Sequence, residues 1–141
     1  MLLAITVASI FYDRLVFRAR KHLFKSREPL SDEELHFRYY STSGYTPSET
    51  AQAWRVIARI LLADAKTMRP TDRLAVEFAP TIWTDQADSE TDDLFVFVGL
   101  ACKIAEVKWE PTELLVIDDI VKLLCECQRK QPLPDLRRIG Y

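Results

Sequence analysis

The most apolar run in the second half of the chain is Leu94, Phe95, Val96, Phe97, Val98, Gly99, Leu100, Ala101 and Cys102, within a stretch from Ala87 to Ala105. A polar entry, Asp88, Ser89, Glu90, Thr91, Asp92 and Asp93, leads into it. Ser89 is placed to act as an N-cap with Asp92 three residues on, and acids in a first helical turn oppose the positive end of the helix dipole. Phe, Val and Phe favour extended structure. The apolar stretch nevertheless continues to Ile104, longer than most strands, so the pattern predicts a helix.

The clearest helical pattern lies upstream. Thr46 is a cap, Pro47 occupies the first helical position and Glu49 completes a capping box, after which Ala53, Trp54, Ile57, Ile60 and Leu61 recur at three- and four-residue spacing. Ser31 and Glu34 form a second box ahead of a short helix through Tyr40. Ser41, Thr42, Ser43 and Gly44 end it, with Gly44 suited to a left-handed position. The aromatics Phe37, Tyr39, Tyr40 and Tyr45 are expected to staple this helix to the rest.

Periodicity fades from Asp64, and Pro70 forbids its continuation. Leu74, Val76 and Phe78 alternate as a strand would, but no second strand offers a partner. An extended loop laying three apolar side chains over a helical core is expected, continuing through Pro80 to Gln86 with Ile82 and Trp83. Pro111 starts a single helical turn. Ile117, Ile120, Val121 and Leu124 then share one face of a last helix, with Asp118, Asp119, Lys122 and Glu126 on the other, until Gln131, Pro132, Leu133 and Pro134 stop it. The tail from Arg137 to Tyr141 suggests no role. The domain reading is an apolar and basic extension (1–30), a short helix and turn (31–45), a helical bundle (46–130) and a tail (131–141).

Charge divides the chain. Between Asp13 and Arg27 six basic residues face one acid, giving +5, so of the total of −2 the remainder carries −7. An acidic body argues against nucleic acid and suits a basic protein partner. Leu2 to Tyr12 is apolar but falls well short of the roughly 20 residues of a bilayer span, and it lacks the positive start of a secretory signal. Three readings remain open: a helix docked on the body or on another copy, a short anchor at a membrane interface with the basic cluster at the headgroups, or a frayed end. Residues 1–27 are thus the segment for any peripheral membrane contact, and homo-oligomers are compatible with it.

Cys102, Cys125 and Cys127 are an odd number in apolar helical surroundings, which points to buried thiols in a reducing, cytoplasmic compartment. Cys125 and Cys127 lie two apart on a helix and so face differently, and His22 and His36 are distant, so no metal site is expected. No enzyme is expected either. There is no serine, cysteine and histidine set, and glycine occurs only at 44, 99 and 140, leaving no phosphate loop.

The order of long helix, apolar-studded loop, apolar helix, one-turn helix and amphipathic helix resembles the acyl carrier protein family from Glu49 to about Glu126. Trp54, Val56, Ile57, Ile60 and Leu61 match its first helix, Arg69 to Leu74 its loop start, Ala87, Asp88 and Ser89 its attachment site, and Ile117 to Leu124 its last helix. The resemblance implies an all-α, three-to-four-helix bundle with a long loop between its first two helices, here with an N-terminal helical extension. It implies a carrier whose serine, Ser89 with Asp88 before it, is esterified by 4′-phosphopantetheine, and which presents an acyl group to partner enzymes without catalysing anything. A phosphodiester at a helix N-terminus would meet unpaired N–H groups there.

The chain departs from the family at Glu90, where a leucine is usual, and in the acids Asp85, Asp88, Glu90, Asp92 and Asp93 around the serine. The second function class is therefore a carrier-like fold without the arm that binds a protein, or its own copy, through the apolar second helix and the N-terminal extension.

Overall fold

Capping chemistry sets the helix starts. The computed structural model describes residues 2–79 and 90–140, with backbone alone for Leu2–Ile10, Arg138 and Ile139. Ser31 Oγ accepts from Glu34 N–H at 3.2 Å, while Glu34 Oε2 accepts from Ser31 N–H at 2.7 Å. Thr46 and Glu49 repeat this exchange at 3.2 and 2.6 Å. These boxes open α2 (Asp32–Tyr39) and α3 (Pro47–Ile60), which follow α1 (Leu2–Leu23) and precede α4 (Glu90–Ala105) and α5 (Ile117–Lys130). Two 3₁₀ turns, Pro111–Glu113 and Leu136–Ile139, complete the order, and the described residues contain no strand. The fold class is all-α.

α3, α4 and α5 pack on one another, with α2 against α3 and the C-terminal 3₁₀ turn against α4. The shared core takes Trp54, Ile57, Ile60 and Leu61 from the first of these helices and its end, Leu94, Phe97, Val98 and Ala101 from the second, and Ile117, Ile120, Val121 and Leu124 from the third. Each such large aliphatic or aromatic side chain, fully buried, contributes about 1.5–3 kcal/mol. Between the last helix and the tail, Leu133 and Leu136 pack against this core.

The connection after α3 is neither strand nor free loop. Leu74 and Phe78 are buried as expected, but Val76 is 51 % exposed. Val76 N–H and Glu77 N–H both reach back to Arg73 O at 3.2 and 3.0 Å, coiling the segment so that positions four apart, not two apart, face inward. The segment serves α5 instead. Ile117 N–H donates to Asp72 O and Asp118 N–H to Pro70 O, both at 2.9 Å, satisfying first-turn donors that a helix leaves open. Leu74 N–H donates to Leu115 O, and Arg73 forms an isolated bridge with Val116. Pro80 to Gln86, with Ile82 and Trp83, lies outside the described residues.

The expected aromatic staple is halved. Tyr40 is buried and Tyr45 partly so, while Phe37 is 79 % exposed and Tyr39 is exposed. α2 is only eight residues long, and Leu35 is its inward residue. Position 37, two residues on, is rotated by about 200° to the opposite face. Tyr40 hydroxyl has no well-formed hydrogen bond but lies by the Asp118 carboxylate; burial first and that charge second push its pKa up.

Two helices end on left-handed residues that are not glycine. Ala63 N–H donates to Ala58 O and Val107 N–H to Cys102 O, each at 2.9 Å, a six-to-one closure with Leu62 (φ 49°) and Glu106 (φ 54°) as the left-handed residues. A side chain held there costs about 1–2 kcal/mol that glycine avoids. Glu106 is exposed, so Glu106→Gly should stabilise the fold by about 1 kcal/mol, read as a higher urea midpoint with an unchanged slope.

Candidate functional site

α4 begins at Glu90, so its first turn stands directly after Ser89 in sequence. Ser89 and Asp88 themselves lie outside the described residues. What the structure shows at this end of α4 is the way α1 closes over it.

From Phe11 onward α1 lies on the body. Its inward face is Tyr12, Val16 and Arg20 at four-residue spacing, continued by Phe24 beyond the helix end. Arg20 is fully buried and Glu90 is 6 % exposed. Arg20 Nη2 meets Glu90 Oε2 at 3.0 Å, and Tyr12 hydroxyl donates to Glu90 Oε1 at 3.0 Å, so both carboxylate oxygens are engaged from α1. Arg20 also donates to Leu61 O at the end of α3 and to Phe78 O, and its guanidinium lies 5.5 Å from the centre of the Phe78 ring. One arginine thus joins α1, α3, the coiled segment and the first turn of α4. Loss of surrounding water first, and the Glu90 charge second, raise the Asp13 carboxyl above its usual range and do the same to the Tyr12 hydroxyl.

A second ion pair holds the chain leaving α1. Asp72, buried, accepts from Arg27 Nη1 at 2.8 Å and from Arg69 N–H at 2.7 Å, while the Arg27 guanidinium stacks 4.2 Å from the Phe24 ring centre. Phe24 and Phe78 rings meet at 5.8 Å. The sequence reads Arg20 and Arg27 as two of six basic residues set against one acid between Asp13 and Arg27. Arg20 is buried and Arg27 partly so against acids 70 and 45 residues away, and only the inward spacing with Tyr12 and Val16 would have marked Arg20.

The outer side of α4 carries apolar side chains interrupted by the exposed Asp92 and Lys103. Val96 is exposed, and Phe95, Gly99, Leu100 and Ile104 are half-buried. Trp109 folds back over this side, stacked on Phe95 with ring centres 6.4 Å apart and planes within 17°. A β-carbon at Gly99 would stand 3.3 Å from the Trp109 ring, so glycine is what lets the indole lie this close. Grooves of about 490 and 300 Å³ flank Trp109, bounded by Lys108, Glu110, Glu113, Asp119, Lys122 and Glu126. Trp109 in this position was not legible in the sequence, where it introduces only the turn at Pro111.

Among the described residues no group of three or more histidine, cysteine or acidic side chains could hold a metal ion. His36 Nδ1 pairs with Thr50 Oγ1 at 3.0 Å, binding α2 to α3. Cys102, Cys125 and Cys127 are free and buried, with the Cys102 and Cys127 sulfurs 3.6 Å apart. Burial pushes the Cys102 and Cys125 thiols up to about 12 and raises Cys127 as well. At mildly alkaline pH the thiolate fraction of the first two falls roughly a thousandfold below that of a free cysteine. The native chain should therefore leave all three thiols unreacted with a colorimetric thiol reagent over a period in which the denatured chain titrates all three.

The class these observations define is an all-α protein with three core helices, an N-terminal helix clamped to the end of α3 and the first turn of α4, and no helix long and apolar enough to cross a membrane among the described residues. No family model, curated protein or solved structure matches the chain.

Proposed function

We propose that the chain is an acyl-carrier-protein-like helical bundle whose work is protein recognition without catalysis, carried out inside a reducing compartment. What supports the bundle reading is the helix order along the chain, α3, then α4, then α5, with residues 61–89 between the first two. The observation that carries the recognition reading is the clamp on Glu90. In the resemblance, the end of α4 is where a phosphopantetheine arm attaches and where carrier and enzyme meet. Here the residue after Ser89 is buried and both its oxygens are taken by Arg20 and Tyr12.

The recognition surface is the outer side of α4 with Trp109. Tryptophan over a glycine-lined slot supplies the large, rigid contact on which interfaces concentrate binding energy. Four acids against two lysines border its grooves, which favours a partner with a basic contact surface.

A second reading retains the arm. The resemblance implies a phosphodiester on Ser89 at the start of the second bundle helix, and a helix N-terminus is a site that favours such an anion. Coexpression with a broad-specificity phosphopantetheinyl transferase, followed by intact-mass measurement, separates the two. The recognition reading expects an unchanged mass. A mass gain that disappears in Ser89→Ala overturns it and establishes the carrier.

A further inference from the structure

We infer that the outward face of α1 is a docking surface for an anionic lipid bilayer, lying on it without crossing it. Arg20, Val16 and Tyr12 fix the inner face of α1 on the body, which leaves the opposite face with a set orientation. At 100° per residue, Arg14, Arg18 and Lys21 fall within about 60° of one another along the line pointing away from the body, and Lys25 follows in the turn after α1. All four are exposed. Phe17 flanks this stripe on one side and Phe11 and Leu15 on the other, and these too are exposed.

An aqueous surface with no partner has no use for three large apolar side chains along a basic stripe. A bilayer interface accommodates both, with apolar groups at the acyl boundary and basic groups at the headgroups. Charge selects the occupant: the stripe contains no acid, whereas the rest of the chain is acidic. Toward its N-terminus the same continuous helix runs through Leu2–Phe11, ten residues without a charge. At 1.5 Å per residue these cover about 15 Å, roughly half the hydrocarbon core and too short to cross it, which fits a helix lying along the surface.

A cleft of about 520 Å³ continues the surface at the other end of α1. Arg18, Lys21, His22, Lys25 and Arg27 line it, with Phe24 as an apolar wall and Asp64 as its one acid. Such a cleft takes a phosphorylated headgroup while the stripe lies on the bilayer. This inference is independent of the reading of α4 and Trp109, since it uses the opposite face of a different helix and a different readout.

Cosedimentation of the full chain with vesicles tests it. With equal parts phosphatidylserine and phosphatidylcholine at low salt, most of the chain should pellet; with phosphatidylcholine alone, little should. Each basic side chain at an anionic surface contributes about fivefold, so Arg14→Ala, Arg18→Ala and Lys21→Ala together should weaken binding roughly a hundredfold. These side chains are exposed, so the variant's circular dichroism and urea midpoint should match the parent. Phe11→Ser with Leu15→Ser should also weaken binding, and this loss should persist at low salt.

Failure to pellet, equal pelleting on both vesicles, or undiminished binding by the triple variant would overturn the inference. So would a lipid-free dimer that the triple variant dissolves, which would assign the stripe to a second copy. Release of the chain from vesicles by millimolar inorganic phosphate at constant ionic strength would also overturn it, assigning the cleft to a free anion.

Discussion

Glu90→Ala should cost about 3–5 kcal/mol of folding stability, the largest effect expected of any surface-to-core polar change in this chain. The reason is the arginine it abandons. Arg20 is fully buried, and its Nε already lacks a hydrogen-bond partner. Without Glu90 the guanidinium keeps, among the described residues, the Leu61 and Phe78 carbonyl oxygens and the Phe78 ring, none of which carries a compensating charge. Typical domains have only about 5–15 kcal/mol in hand, so the loss should be visible as a large drop in urea midpoint. Removing the pair together is a different matter: Arg20→Met with Glu90→Leu replaces two desolvated charges by packing and should restore most of the stability. A single-variant loss under 1 kcal/mol would mean that the guanidinium reaches water.

Trp54→Ala should cost a comparable amount, about 3–5 kcal/mol. Trp54 is among the largest fully buried side chains and sits at the centre of α3, the helix that touches α2, α4 and α5. Its indole N–H donates to Ala65 O at 2.7 Å, fixing the chain just after α3 as it turns toward the coiled segment. The substitution opens a cavity and leaves that carbonyl without its donor. Trp54→Phe separates the two contributions: it keeps most of the volume and loses the donor, so it should cost about 1–3 kcal/mol. Equilibrium urea unfolding followed by far-ultraviolet circular dichroism checks both.

Helix starts and stripes were legible because their causes are local. The Ser31–Glu34 and Thr46–Glu49 boxes form as the sequence indicates, and Ile117, Ile120, Val121 and Leu124 bury as one face. The burial of three cysteines also follows from their apolar neighbours. What escaped was set at a distance or by backbone geometry. Glu106 and Leu62 close two helices in a conformation normally announced by glycine, so nothing in their side chains marks them. Leu74, Val76 and Phe78 alternate in sequence, yet the carbonyl of Arg73 coils them. Phe37 reads as core by composition and faces out because Leu35 sets the inward direction of α2.

The candidate site was legible only in outline. Sequence placed a helix through Leu94 to Cys102 and noted at Glu90 a residue unlike the leucine of carrier proteins, but could not show what that residue binds. Glu90 acquires its meaning from Arg20, 70 residues earlier, in a cluster whose other exposed members do face solvent. Asp119 shows the same limit on a smaller scale. It reads as an acid on the polar face of α5, whereas its carboxylate caps Leu115 and Val116 N–H, both at 3.0 Å.

The central claim is that α1 is clamped across the first turn of α4, and nuclear Overhauser contacts in the full chain test it most directly. The clamp predicts cross-peaks between the Tyr12 ring and the Glu90 side chain, and between the Arg20 side chain and the Phe78 ring, with slow amide exchange from Tyr12 to Arg20. Absence of those cross-peaks, together with amides in that stretch exchanging as fast as an unstructured peptide, would contradict it.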